Sequence, residues 1–147
     1  MQIVKVTIAD ISLVAPLFDQ YRVFYDKPSD LDLAHSFIEA RIKHRESVIF
    51  LAINAEGEAV GFTQLYPNFS SVSAVRTWIL NDLYVIDKLR GQGTSKQLLN
   101  TARDYAISTG AKGISLETAP DNIGAQKLYE SLGYKREMDY HHYSLSL

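Results

Sequence analysis

Cysteine is missing altogether and histidine occurs only four times, at His35, His44, His141 and His142. That excludes a disulfide framework, a thiolate metal site and a catalytic thiol. Adjacent strand residues point to opposite faces, so His141 and His142 do not favour chelation of one ion, and no metal is expected. Long apolar runs are also missing, for nothing approaches the roughly 18 consecutive apolar residues that a membrane span needs. The stretch Met1 to Ala9 lacks the apolar core and basic flank of an export signal. Together these predict a cytoplasmic protein with no membrane partner. Positive charge is in short supply too: 15 Lys and Arg against 17 Asp and Glu leave a net charge of −2, which argues against a nucleic-acid partner. What remains is ordinary globular composition, 46% hydrophobic and 22% charged over 147 residues. A single domain spanning 1–147 is the expectation.

The periodicity along the chain supplies the elements. Gln2 to Thr7 alternates as a short strand. After Asp10, a good N-cap, apolar residues recur at helical spacing from Ile11 to Tyr25, and Lys27-Pro28 ends that helix. Ser29 or Asp30 caps a second helix reaching about His44. Ser47 to Asn54 and Ala59 to Tyr66 predict a hairpin, with Pro67 expected to break or bulge the second strand. A third strand spans about Val75 to Val85. Leu98, Leu99, Ala102, Tyr105 and Ala106 share one face of a further helix that Gly110 stops. Ala111 to Thr118 reads as a strand, Asp121 or Asn122 caps a short helix ended by Gly133, and Tyr134 to Ser146 reads as one or two strands. The result is a mixed α/β chain in the order β-α-α-β-β-β-α-β-α-β.

Chemistry concentrates where the third strand meets the next helix, in Asp82-Leu83-Tyr84-Val85-Ile86-Asp87-Lys88-Leu89-Arg90-Gly91-Gln92-Gly93-Thr94-Ser95-Lys96. A strand running through glycines into a helix aims free backbone N–H groups and the positive helix end at one place, which suits a phosphate or pyrophosphate. A dinucleotide fingerprint needs a glycine where Lys96 stands, and a P-loop needs Gly-Lys-Ser/Thr, which occurs nowhere. The run resembles instead the acyl-CoA motif of the GCN5-related N-acetyltransferase superfamily, Arg/Gln-x-x-Gly-x-Gly/Ala, here Arg90, Gly93 and Ser95. Ser95 departs from the usual last residue but remains small. Downstream, Asn122-Ile123-Gly124-Ala125-Gln126-Lys127-Leu128-Tyr129-Glu130-Ser131-Leu132-Gly133-Tyr134 resembles the superfamily's Asn-x-x-Ala-x-x-Leu-Tyr-x-x-x-Gly-Phe/Tyr segment. The element order fits from end to end.

The resemblance implies an acetyl-CoA-dependent N-acetyltransferase acting by direct transfer in a ternary complex, without a metal. The backbone of Gly91, Gln92, Gly93, Thr94 and Ser95 would cradle the pyrophosphate, with Arg90 and Lys96 nearby. Leu83, Tyr84 and Val85 would pair with the pantetheine arm, the Leu83 N–H serving as oxyanion donor. Asn122, also a helix cap, would bond the pantetheine amides, and Tyr129, also a packing residue, would protonate the leaving sulfur. Where many relatives place a Glu, this chain has Asn81, which takes no proton. Asp82, Glu117 and Asp121 remain as bases, directly or through water, with Tyr66 in a water chain. Strand alternation allows only one of Asn81 and Asp82 to face the substrate unless a bulge intervenes.

For the acceptor, Tyr21, Tyr25, Asp26, Asp30 and Tyr66 are the candidates, the acidic residues drawing an amine cation toward the junction of the first two helices. Tyr21-Arg22-x-Phe24-Tyr25, Pro28-Ser29-Asp30, Gln64-Leu65-Tyr66-Pro67 and Ser70-Ser71 resemble a subgroup that includes fungal histone and polyamine acetyltransferases. That implies a polyamine, another small amine or a lysine-bearing peptide as partner, and a homodimer. The competing reading is a non-catalytic acyl-CoA-binding or sensing domain.

Overall fold

The computed structural model describes residues 1–147, which divide into two compact units, residues 1–116 and 117–147. The first holds a five-stranded sheet in spatial order β1-β2-β3-β4-β5. Its strands are β1 (Gln2–Lys5), β2 (Val48–Ile53), β3 (Ala59–Ser70), β4 (Val75–Val85) and β5 (Ile114–Ser115). β1 to β4 pair antiparallel, and β5 joins β4 in parallel. Helices α1 (Ile11–Phe24), α2 (Leu31–Lys43) and α3 (Thr94–Ser108) complete this unit.

Both faces of the sheet are covered, which is why β2 reads as the unbroken apolar run Val-Ile-Phe-Leu-Ala-Ile rather than an alternation. Ile49 and Leu51 pack with Phe62 against Ile11, Val14, Leu17 and Phe18 of α1 and Ala34 and Ile38 of α2. On the opposite face Phe50 stacks edge-on against Tyr105 of α3, where Leu98, Leu99, Ala102 and Ala106 are buried. The α1–α2 corner is pinned by Asp19, a buried carboxylate that accepts 2.6 Å from the Ser29 hydroxyl and 2.7 Å from the Asp30 N–H. Asp30 then accepts from the Leu33 N–H as the α2 N-cap.

Two features of the central strands differ from expectation. β3 runs straight through Pro67 to Ser70, where a break or bulge was expected. Pro67 sits opposite Trp78, whose N–H turns away from β3 to the Gly113 carbonyl, so this is a pair without mutual hydrogen bonds. The proline nitrogen therefore faces the β2 side, beyond the last β2 pair at Val48–Leu65, and no ladder bond is lost. The irregularity lies instead between Gln64 and Leu65, which face Asp82 and Leu80 and leave Asn81 as the extra residue of a bulge on β4.

The bulge reverses the strand's alternation. On one side of it Trp78 and Leu80 are buried toward α3, Trp78 packing on Tyr105 and donating to the Thr109 hydroxyl. Past it, Asp82 and Tyr84 turn toward α1, where Tyr84 meets Tyr21. From Leu80 to Val85, β4 has no strand partner on the side away from β3, because β5 pairs only at Trp78 and Ile79.

The second unit contains α4 (Ile123–Ser131), capped by the Asn122 side chain, which accepts from the Ala125 N–H. The Gln126 amide donates to the Ala119 and Pro120 carbonyls and braces the turn before the helix. The strands expected over 134–146 do not form, and Ala111–Thr118 contributes only the two residues of β5. Alternation supplies a strand with faces, but a strand persists only when a neighbour takes its backbone bonds, and no strand pairs with 134–146 or with the rest of 111–118. Tyr140, Tyr143 and Leu145 stand exposed as a result.

Candidate active site

The β4 bulge builds the centre of the site. Because Asn81 is extra, its side chain folds back and donates 2.7 Å to one oxygen of Asp82, while the Gln64 amide donates to the other. Asp82 is 2% exposed. Burial pushes its carboxyl above the ordinary carboxylate range, and the bonds from Asn81, Gln64 and the Tyr21 hydroxyl hold it partly back. Tyr21 and Tyr66 are themselves pushed up, Tyr66 to about 12, first by burial and then by the Asp82 charge. Both phenols therefore remain protonated near one carboxylate, and Tyr21 donates to it.

These groups line a cavity of about 390 Å³ together with Phe18, Arg22, Leu33, Phe37 and Asn81. Of the expected acceptor-side residues, Tyr21 and Tyr66 lie here with Asp82. Tyr25 packs edge-on against Tyr21 at 5.0 Å between ring centres, one layer out. Asp26 and Asp30 do not line the cavity: Asp26 occupies an exposed left-handed turn and Asp30 caps α2. Sequence reasoning gave no chemical role to Gln64, which is fully buried. The signal was there, since Phe62, Gln64 and Tyr66 share one face of β3 and an amide inside an apolar strand needs a partner.

At the end of β4 the chain passes through Asp87–Leu89, a single 3-10 turn, into Gly91 and Gly93 at φ 77° and 88°. Nothing lies within 4 Å of where a Cβ would stand on either glycine. α3 begins at Gly93 with no side-chain cap, unlike α2 and α4, so its leading N–H groups in Thr94, Ser95 and Lys96 have no partner within the helix. Arg90, expected near the phosphates, is engaged in holding the loop: Nε donates 3.1 Å to the Val85 carbonyl and Nη1 pairs with Asp87 at 2.8 Å. Its guanidinium also lies over Phe24 and Tyr84.

Open glycines, an uncapped helix start and an unpaired strand edge in succession fit a donor with a pyrophosphate and an amide-bearing arm. Asn122 and Tyr129 belong to the second unit. There Asn122 caps α4, and Tyr129 lies half-buried on that helix with its ring 5.8 Å from that of Tyr134.

A mixed sheet with an open β4 edge, a glycine turn into α3 and a buried carboxylate on the bulge suit an acyl-transferring enzyme, and the comparison with known proteins agrees. The chain belongs to the acetyltransferase (GNAT) family, whose model matches residues 14–134, and it is an acetyltransferase. It is 46% identical over 147 residues, all of this chain and 98% of the other, to the uncharacterized N-acetyltransferase YhfO of Bacillus subtilis (strain 168). An aminoglycoside N(6')-acetyltransferase type 1 of Salmonella typhimurium (strain LT2) is 27% identical over 113 residues, 74% of each chain. The crystal structure of a probable acetyltransferase superposes with a TM-score of 0.95 at 42% identity, covering 100% of this chain and 98% of that one. The family generally uses acetyl-CoA as co-substrate.

Proposed function

We propose that this enzyme moves the acetyl group of acetyl-CoA to a primary amine in one ternary complex. The observation that carries the reading is the Asp82 carboxylate, buried, raised in pKa and lining a cavity on the same strand whose end feeds the glycine loop. An amine arrives as ammonium and must lose a proton before its nitrogen can attack. Asp82 accepts that proton, directly or through one water, while Asn81, Gln64 and Tyr21 hold its two oxygens in place. Acetyl-CoA, when bound, supplies an activated acetyl thioester. The Gly91 to Ser95 backbone with Lys96 holds its phosphates, and the Leu83 to Val85 edge with Asn122 holds the arm. The Leu83 N–H stabilises charge on the acetyl oxygen, and Tyr129 gives a proton to the departing sulfur.

The name of the aminoglycoside acetyltransferase relative supports an amine acceptor. The family match across both units supports a single catalytic domain over 1–147. The exposed apolar residues between Met138 and Leu147 support a homodimer, which light scattering in solution tests. No helix is long and apolar enough to cross a membrane, and a cytoplasmic location is part of the same proposal.

A screen of amines with acetyl-CoA, following free thiol, tests the activity: thiol release should require an amine and yield its N-acetyl product. Tyr129→Phe in the same assay should keep acetyl-CoA affinity and lower kcat by about 100-fold or more. Acetyl-CoA binding with no transfer to any amine would instead favour the sensing-domain reading.

A further inference from the structure

The acceptor cavity holds a guanidinium, Arg22, besides the Asp82 carboxylate that the acetyl-transfer reading needs. Arg22 lines it without a carboxylate partner: its Nη1 is buried and donates to no oxygen within hydrogen-bond reach, and the side chain forms no ion pair. The nearest acid in sequence on that helix, Asp19, lends Arg22 a favourable field but spends its oxygens on Ser29 and Asp30. A second hollow of about 580 Å³ shares the walls Phe37 and Tyr66 and adds Arg41, Arg45 and Glu46. There Arg41 lies over the Phe37 ring, pairs with Glu46 at 3.2 Å and leaves a buried Nε unpartnered. With Glu46 committed to Arg41 and Asp82 held by three donors, the walls carry more positive than negative charge. A buried guanidinium donor without an acceptor costs stability, and such a cost persists at a site where a ligand supplies the acceptor.

Resting on the acetyl-transfer reading, we propose that the acceptor is a small amine that also bears an oxyanion, the carboxylate of an amino acid being its simplest form. Its oxyanion sits against Arg22 and its amine points to Asp82. A planar guanidinium matches a carboxylate or a phosphate through paired N–H donors, and the aromatic walls of Phe18, Phe37 and Tyr66 exclude water and strengthen that contact. The Asp82 oxygens take the opposite end, so the two charged groups orient the acceptor as a dipole across one cavity. A cation with charge at both ends, such as a polyamine, would bring positive charge to Arg22. Arg22 is thus a specificity-determining residue, and Arg41 with Arg45 lines the route by which a larger anionic substituent extends.

The test compares matched acceptors with wild-type enzyme and acetyl-CoA: free amino acids, their neutral amides, aminoalkyl phosphates and spermidine. Carboxylate- or phosphate-bearing amines should exceed the amides and spermidine by about 10- to 100-fold in kcat/KM, the span of a charge-assisted hydrogen bond. The carboxylate and phosphate arms identify which oxyanion is used. Arg22→Gln and Arg22→Lys should erase that preference through KM, with kcat for the preferred amine changed less than about threefold. Amides or spermidine used as well as the anionic amines would overturn the proposal and leave amine acetylation standing. Transfer to no amine, with acetyl-CoA still bound, would overturn the acetyl-transfer reading and this proposal with it. The wild-type comparison decides even if neither Arg22 variant folds.

Discussion

The proposed chemistry turns on a single carboxylate whose neighbours work in both directions. Burial raises the Asp82 pKa, and the surrounding amides and phenol lower it. A base of raised pKa is a better proton acceptor for an ammonium than an ordinary aspartate. Its unprotonated form exists above that raised value and is lost as pH falls through it. The acidic limb of kcat/KM should therefore lie above the ordinary Asp value of about 3.9, and Asp82→Asn should abolish that limb. The same variant should lower kcat by about 100- to 10,000-fold while acetyl-CoA affinity, followed by calorimetry, stays within a few-fold. Asp19 shows the opposite shift: bonds from Ser29 and Asp30 hold its carboxyl below the usual range. Its stabilisation is present above the ordinary carboxylate pKa and disappears as pH falls through the lowered one. Asp19→Ala should cost about 2–3 kcal/mol at neutral pH, a Tm loss of about 4–10 °C, and the gap from wild type should close in acid.

At the scale of elements, β4 and the turn after it carry most of the proposed site and most of what the sequence conceals. Helix faces are legible and the caps of α2 and α4 are narrowed to two residues each, Asp30 and Asn122 among them, because their signals are local: a side-chain oxygen three residues before the N–H it accepts from. The bulge is not, because it depends on which β3 residue stands opposite, and Asn81 looks like any strand residue until Gln64 and Leu65 are placed. For that reason Asp82 and Tyr66 could be named from sequence, whereas the bonds that hold Asp82 could not. Arg22 was visible as a residue, and its unpartnered nitrogen only as a contact. The uncertainty over the base came from alternation, which the bulge suspends.

Two substitutions probe this element. Gly61 stands opposite Val85, where a Cβ would meet the Tyr84 carbonyl at 2.9 Å and Val85 Cγ2 at 3.1 Å. Gly61→Ala should cost about 1–3 kcal/mol by denaturant melt, since the clash is with backbone. Gly93→Val meets open space but a φ of 88°. It should weaken acetyl-CoA binding by about tenfold or more in calorimetry with smaller loss of stability, because the proposed donor site brings the backbone close to phosphate oxygens there.

At the scale of the whole molecule, the length of β4 from Leu80 to Val85 without an outer neighbour has a consequence beyond catalysis. Backbone groups there that do not reach β3 exchange hydrogen with water at the rate of an exposed edge rather than of a sheet centre. Deuterium uptake at these amides should slow when acetyl-CoA is added, whereas β2, flanked on both sides by β1 and β3, should show little change. The same edge can template the strand of another polypeptide. Acetyl-CoA bound along that edge would cover it, so self-association, followed by light scattering, should be lower with the donor present than without it.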